Sequence, residues 1–531
     1  MIRRLLVGIE LLVLTALILA TRCANYRDVF VGENIYFTDA DCYARMTRVR
    51  LCAEHPGLIV RHHQFENYPD GTTPHTTAPL DYCVLGFSLF LKPFTAQSLD
   101  LAGALISPVF ATFGGWFLWW WTRRLRYRWA GLILYAISPI IVHGTELGRP
   151  DHQSLLIVLV LVALGSEWAL VRPDCLKQSS VTAPRWKYAA AAGAAWSLAI
   201  WVSAYEPLIL LLLVLLILIC SGTRSLFLSK DRRIGWIVFA VIIAIALWIE
   251  RRLPSLSIHS TELFRNWSHT IGELHSISPR NGIWFRWTGY LIVIAPILIW
   301  MSKSRTKIRS LNNELPWFIL AILVATFCLT TWQARWSYFF VTIFAMVLPI
   351  LLEPLKPRFA VWLAFALSLL PILQDWDERI WPNESELAGE VERRMESVQL
   401  HDLASLIRSS EIHPFLAPWW LSPEIAYWSG QPGVAGSSHE SLDGIRDSAR
   451  FFMAEDWREA GEIVRKRKID WVFGYDSGRV TLNSAEVLGR KQIASRPLCQ
   501  VLDRTPTQAP AFLVLAGQNP AAKLFRVVNN R

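Results

Sequence analysis

Apolar residues fall along this chain in long continuous blocks, not in the short alternations of a water-soluble domain. Eleven stretches are candidate membrane spans: residues 5–20, 98–121, 129–143, 153–171, 188–205, 206–222, 234–250, 284–301, 315–331, 336–352 and 359–373. A spanning helix needs about 20 apolar residues; several stretches are shorter, so their borders are loose. The connections alternate in charge. Basic residues gather at Arg3 and Arg4; at Arg123, Arg124, Arg126 and Arg128; and at Arg172, Lys177, Arg185 and Lys187. The series continues through Arg224, Lys230, Arg232 and Arg233; Lys303, Arg305, Lys307 and Arg309; and Lys356 and Arg358. Such clusters stay in the cytoplasm. Eleven crossings from a cytoplasmic N-terminus then place residues 21–97, 144–152, 203–206, 251–283 and 374–531 outside.

Composition agrees. The 531 residues are 53% hydrophobic with 26 Trp and 26 Phe, and only 18% are charged, against about 25% in soluble chains. The net charge of +10 is carried by the cytoplasmic connections, so it reports topology and excludes a nucleic-acid partner. Residues 5–20 resemble a signal-peptide core, but ten further spans and the lack of a small-residue cleavage site favour a retained anchor. Cys42, Cys52 and Cys83 define no bridge, and no Cys/His spacing marks a zinc motif.

The long outer loops at 21–97 and 251–283 are polar and broken by Pro and Gly. Beyond residue 373 the pattern changes: a charged helical stretch (384–410), the run FLAPWW, a Gly/Ser-rich turn region (429–441) and helical patterns at 441–452 and 455–468. Strand-like runs follow at 469–476 and 511–516. Helices alternating with short apolar runs predict a C-terminal α/β domain, residues 374–531, outside the membrane. The first domain is a polytopic α-helical membrane unit over residues 1–373.

Charged groups at the outer helix ends carry the candidate chemistry, because a membrane chain rarely holds acids without use for them. Asp39 and Asp41 in FTDADCYARM are hard oxygen donors suited to Mg²⁺ or Mn²⁺; their plain alternative is a solvated acidic loop. Asp151 in GRPDHQ is a second such acid, with a helix N-cap as its plain alternative; His152, Gln153, His143 and Glu146 are near it in sequence. Glu273 lies in HTIGEL between His269 and His275. Arg335, in TTWQARW, is a guanidinium at an outer helix end, against the charge trend, and its geometry suits phosphate oxygens.

Taken in order, these segments resemble the catalytic subunit of oligosaccharyltransferase, a GT-C-type membrane glycosyltransferase family, over most of the chain. FTDADCYARM is similar to its first acidic motif, with Asp41 at the metal position and Asp39 before it. Residues 66–82, ENYPDGTTPHTTAPLDY, resemble the archaeal-type pattern NYPxG…PLxD. GRPDHQ resembles the second acidic motif, with Asp151 as first ligand and Gln153 where an acid or His is usual. TIGE matches the TIxE motif, whose acid, here Glu273, contacts the acceptor; Arg335 matches the arginine that binds the lipid-linked diphosphate. The segment beginning APWWLSPE resembles the region around the acceptor-reading WWDYG motif. There Trp419 and Trp420 are kept, Leu421 stands in place of the Asp, and Glu424 is the nearest acid. The family has thirteen spans, so the resemblance leaves a helix pair between residues 153 and 250 to be accounted for.

The resemblance implies glycan transfer from a polyprenyl-diphosphate carrier to an acceptor, expected to be protein, on the outer face of the cell inner (plasma) membrane. Asp41, Asp151 and Gln153, with Asp39, would hold Mn²⁺ or Mg²⁺; Asp41 and Glu273 would activate the acceptor. A GT-C transferase using a prenyl-monophosphate sugar, or one with a polymer or lipid acceptor, shares the topology. A polysaccharide or lipid transporter fits less well, because its ionisable groups belong near the bilayer middle, whereas Glu10 and Glu167 lie toward the cytoplasm.

Overall fold

A computed structural model describes residues 2–171, 185–220, 229–252, 261–304, 317–491 and 496–528. Every one of the eleven apolar stretches contains helix. Eight are single helices: Ile2–Arg22, Ser98–Thr122, His152–Val171, Arg185–Val202, Tyr205–Cys220, Lys230–Glu250, Trp317–Trp332 and Ser337–Leu352. Three are broken, at Ser138 before Pro139, at Gly289, and at Leu369, where Arg358–Ser368 and Leu370–Ile380 meet at 48°. Among the described residues, five helices are by themselves long and apolar enough to cross a bilayer, and the bent pair makes a sixth. Between residues 153 and 250 the described helices are those the hydropathy marks, with no additional pair among the described residues.

Burial orders the helices. The segment Ala334–Leu352 is 89% buried and forms the centre, whereas Arg4–Arg22 and Lys230–Glu250 are each only 17% buried. Their outer faces show Leu12, Ile237, Val241 and Trp248, an apolar surface that lipid would cover. The helices Arg185–Val202 and Lys230–Glu250 cross closely at Gly193 and Gly235, where a Cβ on Gly193 would lie 2.1 Å from the Gly235 carbonyl oxygen. Small residues allow this approach in the absence of a hydrophobic drive between helices. Glu167 is buried but paired, 2.6 Å from Arg232, and Glu10 pairs with Arg128.

The first loop is more structured than its polarity predicts. A hairpin of β1 (Phe30–Val31) and β2 (Asn34–Ile35) leads into the helix Ala40–Glu54, and a second, apolar helix runs Ala78–Leu91. Pro69, Gly71 and Pro74 fall between the two helices, Pro56 and Gly57 just after the first, which leaves helical periodicity intact on both sides. The C-terminal part contains β3 (Phe415–Leu416), β4 (Trp471–Tyr475), β5 (Leu513–Gln518) and β6 (Ala522–Val527), in the order β3-β4-β6-β5. β3 and β4 are parallel and the other pairs antiparallel, with helices packed around the sheet. The helix Leu370–Ile380 runs past residue 373, and Trp376 on it donates to the Ile137 carbonyl at 2.7 Å. A new helix then starts at the Asn383 capping box.

This C-terminal part rests on the first loop. The helix Ser422–Ser429 packs against Ala40–Glu54 through Tyr427 and Trp428, whose rings lie 5.7 and 5.3 Å from that of Tyr43. Arg50 stacks 3.9 Å over Tyr427 and donates to its carbonyl. The described cysteines are all free thiols, so packing, not disulfides, holds the two parts together there.

Candidate active site

Asp39 begins the site as a helix cap: its carboxylate accepts from the Cys42 N–H at 2.9 Å and starts Ala40–Glu54. Asp41 falls in that helix's first turn, where exposed N–H groups favour a carboxylate. The GRPDHQ turn is brought to it by backbone and side chain. Gly148, at φ +77, turns the chain where a side chain would strike Val29, its carbonyl accepts from the Thr38 N–H at 3.0 Å, and Arg149 pairs with Asp39 at 2.9 Å. Asp41 and Asp151 then wall one cavity together with Arg45, Arg48, Glu66, His75, His152 and Ser437. The two acids singled out in separate loops therefore face a common space.

Their environments differ. Burial pushes the Asp41 carboxyl up to about 6, and the charges of Asp39 and Asp151 add to this, against a hydrogen bond from Ser437. Burial would raise Asp151 too, but the adjacent His152, by charge and hydrogen bond, and Arg149 hold it well below the usual carboxylate range. Asp151 accepts from the His152 N–H at 2.7 Å and from its ring nitrogen at 2.6 Å. Gln153 is turned onto the same carboxylate, with its amide nitrogen as donor. It therefore stabilises Asp151 as an anion, a different task from the ligand role its position implies. Glu66 is pushed up to about 8, mainly by burial and by the Glu440 and Asp41 charges against Arg48, and its Oε1 has no partner. Several buried carboxylates that repel one another around one cavity fit a divalent cation, with Asp41 and Asp151 as the donors facing it.

Glu273 reaches this region from the 251–283 loop. The 3-10 turn Gly272–Leu274 is pinned by the Ala334 N–H donating to the His275 carbonyl at 2.9 Å. From Glu273 a continuous polar chain leads to the first motif: Tyr338 donates to Glu273 at 2.9 Å and meets His143 at 2.9 Å. His143 contacts Arg149 at 3.1 Å, and Arg149 holds Asp39. Arg335 pairs with Glu206 at 2.6 Å and its Nε is buried without a partner. Glu206 lies within electrostatic reach of His152 and His75, so Arg335 is joined to the cavity through it.

The Trp-Trp segment sits apart from the acids. Trp419 packs on Trp267 of the short helix Glu262–Ser268, at 6.1 Å between rings, and Trp420 on Trp419 at 5.7 Å. That contact fastens the Glu273 loop to the C-terminal part. Leu421 is 7% exposed, inside the core that includes Tyr43 and Ile425. Glu424 faces Tyr36, Tyr43 and Glu396, not the Asp41 cavity.

Sequence reasoning missed Tyr338, Glu206, Glu66, His75, Ser437 and Glu440. Of these, Glu66 and His75 lie within the 66–82 segment already singled out, and Glu206 is an acid in a short turn whose partner, Arg335, was the odd cation of the charge pattern.

The fold is shared with solved structures of an archaeal oligosaccharyltransferase and of ArnT. Among solved structures, the Archaeoglobus fulgidus oligosaccharyltransferase tethered to an acceptor peptide containing the NVT sequon superposes with a TM-score of 0.69 at 15% identity, over 90% of this chain and 70% of that one. Two further Archaeoglobus fulgidus structures, an oligosaccharyltransferase with Zn and sulfate and the oligosaccharyltransferase AglB with an inhibitory peptide and a dolichol-phosphate, both superpose at a TM-score of 0.67. ArnT from Cupriavidus metallidurans, bound to undecaprenyl phosphate, superposes at 0.54 and 13% identity, over 99% of this chain and 98% of that one. No protein-family model and no curated protein matches the sequence.

Proposed function

We propose that this protein is a metal-dependent membrane glycosyltransferase that moves a glycan from a polyprenyl-diphosphate carrier to an acceptor on the outer face of the membrane. The observation that carries this reading is the meeting of Asp41 and Asp151, from loops 110 residues apart, on one cavity that also holds His75 and His152. The ligands of the structural neighbours, a dolichol-phosphate and peptides in the Archaeoglobus structures and undecaprenyl phosphate in ArnT, support the coarser part of this reading, a prenyl-linked donor and a peptide acceptor.

In the reaction an acceptor nucleophile attacks the anomeric carbon, the bond from that carbon to the phosphate oxygen breaks, and the polyprenyl diphosphate leaves. Asp41 as a carboxylate orients the acceptor and takes its proton. Glu273, held by Tyr338, fixes the acceptor from the opposite loop. Arg335 offers its unpaired N–H to the leaving phosphate oxygens, where donors aimed at developing charge act most strongly. Asp151, kept anionic by His152 and Gln153, and Asp41 would hold a Mn²⁺ or Mg²⁺ ion, which would supply charge neutralisation for the diphosphate. The acceptor is a protein or peptide, and with Leu421 buried where the sequon-reading Asp stands in the family, an Asn-x-Ser/Thr sequon is not what it reads. An unpaired hydroxyl there costs roughly 1–3 kcal/mol.

A second reading, a prenyl-monophosphate donor, draws on the end-to-end superposition on ArnT. One experiment separates the two. Purified protein receives either labelled glycan on polyprenyl diphosphate or labelled sugar on polyprenyl monophosphate, with peptides carrying Thr or Ala at the third sequon position and with lipid acceptors. Consumption of the diphosphate donor without Thr preference is the expected result. Use of the monophosphate donor alone supports the second reading, and strong Thr preference refutes the acceptor assignment.

A further inference from the structure

His75, which walls the Asp41–Asp151 cavity, also belongs to a second set of donors. His75 comes from the first loop, and His439 and Glu440 from a turn 365 residues later. One ligand atom from each lies within 4.8 Å of the others. The His75 and His439 rings are 4.8 Å apart at 43°, and Glu440 Oε1 lies 2.6 Å from His75 Nδ1 and 3.5 Å from His439 Nε2. Glu440 is 12% exposed, and its second oxygen, Oε2, is buried with no hydrogen-bond partner. A buried carboxylate oxygen without a hydrogen bond is costly; the Ser438 side chain lies close to this carboxylate, and Oε2 is the oxygen left to ligate an ion.

We propose that His75, His439 and Glu440 form a site for a divalent transition-metal ion, zinc by its donor chemistry, distinct from the Asp41–Asp151 pair. Two imidazoles and one carboxylate with a fourth position open are the donors zinc takes, whereas the all-oxygen Asp41–Asp151 pair suits Mg²⁺ or Mn²⁺. The site has a mechanical consequence. Ser437, which donates to Asp41, lies two residues before His439, so an ion here ties the Ser437–Ser441 turn of the C-terminal part to the first loop. The cavity wall around Asp41 is thereby fixed from its far side. The inference stands whether or not the protein transfers glycans, because it concerns only metal binding and the coupling of two chain segments.

The test is metal binding by the full-length protein in detergent after stripping with a chelator. Zn²⁺ affinity is read by chelator competition, and Co²⁺ substitution is followed by its visible d–d bands, which report nitrogen and oxygen ligands directly. Four proteins are compared: the native chain, His439→Ala with Glu440→Gln, Glu440→Asp, and Asp41→Asn with Asp151→Asn. Loss of one zinc equivalent and of the Co²⁺ bands is expected in the His439/Glu440 variant. The weakening should exceed the roughly 10–100-fold that even an outer-shell partner is worth. Glu440→Asp should retain the bands, and the Asp41/Asp151 variant should keep this zinc equivalent. An unaltered melting curve in the absence of metal shows that the His439/Glu440 variant is folded; if it is not, retention in the Asp41/Asp151 variant and in Glu440→Asp decides alone. Zinc binding unchanged in the His439/Glu440 variant, zinc lost with Asp41 and Asp151, or no zinc bound by the native chain would each overturn the proposal.

Discussion

Asp41 and Asp151 show how two carboxylates that wall the same cavity come to hold different charge states. His152 and Gln153 commit Asp151 to the anion, while burial and like charge leave Asp41 near 6. Replacing Gln153 by Glu removes a donor from Asp151 and sets a third negative charge beside it. Gln153→Glu is therefore predicted to melt below the native protein in EDTA and to gain more than it from added Mn²⁺, as differential scanning fluorimetry would show; equal responses to Mn²⁺ would remove Gln153 from the metal site. Glu424 gives a pH prediction. Burial, with Glu396 nearby, pushes its folded-state value up to about 8 from the ordinary 4.5. Below pH 4.5 the group is protonated in both states and costs nothing. Between 4.5 and 8 only the unfolded chain ionises, so stability falls as pH rises, by up to about 1.4 kcal/mol per unit. Glu424→Gln should melt above the native protein at pH 8 and match it near pH 4.5; a constant gap across that range would contradict the assignment. The charged residues of this site were legible because acids and an arginine at outer helix ends are costly unless used. Ser437, Tyr338 and Glu440 were not, because each acts across 65 to 396 residues of sequence and is unexceptional in its own segment.

At the scale of elements, hydropathy located helices but not their breaks. Pro139, Gly289 and Pro371 sit inside apolar runs, and each run became two helices because Pro cannot continue the hydrogen-bond ladder and Gly289 turns at φ +62. The helix Ala78–Leu91 was hidden by the Pro- and Gly-rich stretch before it. β6 was hidden by Lys523 and Arg526, which interrupt its apolar positions. In the membrane part, the crossing at Gly193 and Gly235 leaves no room for a side chain. Gly193→Val should separate the two helices and cost at least the roughly 1–3 kcal/mol of an overpacked core. The measurement is thermal aggregation of the detergent-solubilised protein followed by size-exclusion chromatography. Unchanged melting would mean that these helices do not cross as described.

For the molecule as a whole, the first loop, the described part of the 251–283 loop, the Asp151 turn and the C-terminal part meet around one site, while Glu10 and Glu167 are neutralised by Arg128 and Arg232. An acid already paired with a basic connection has no free charge to move a substrate, which weighs against transport. The orientation itself is testable. With the exposed Cys83, Cys220 and Cys328 replaced by Ser, an impermeant maleimide added to intact cells should label Ser268→Cys and Asp443→Cys. Arg126→Cys and Lys230→Cys should be labelled only after lysis; labelling of Arg126→Cys from outside would invert the topology.

The central claim is that loops remote in sequence build one metal-dependent transfer site around Asp41 and Asp151. Its most direct test is the rate at which purified protein moves labelled glycan from polyprenyl diphosphate to an acceptor, measured with Mn²⁺, with EDTA, and for Asp41→Asn with Mn²⁺. The account predicts transfer by the native protein with Mn²⁺, and loss of it both in EDTA and in Asp41→Asn, whose melting curve stays close to native. Undiminished transfer in EDTA, or by Asp41→Asn, would contradict it.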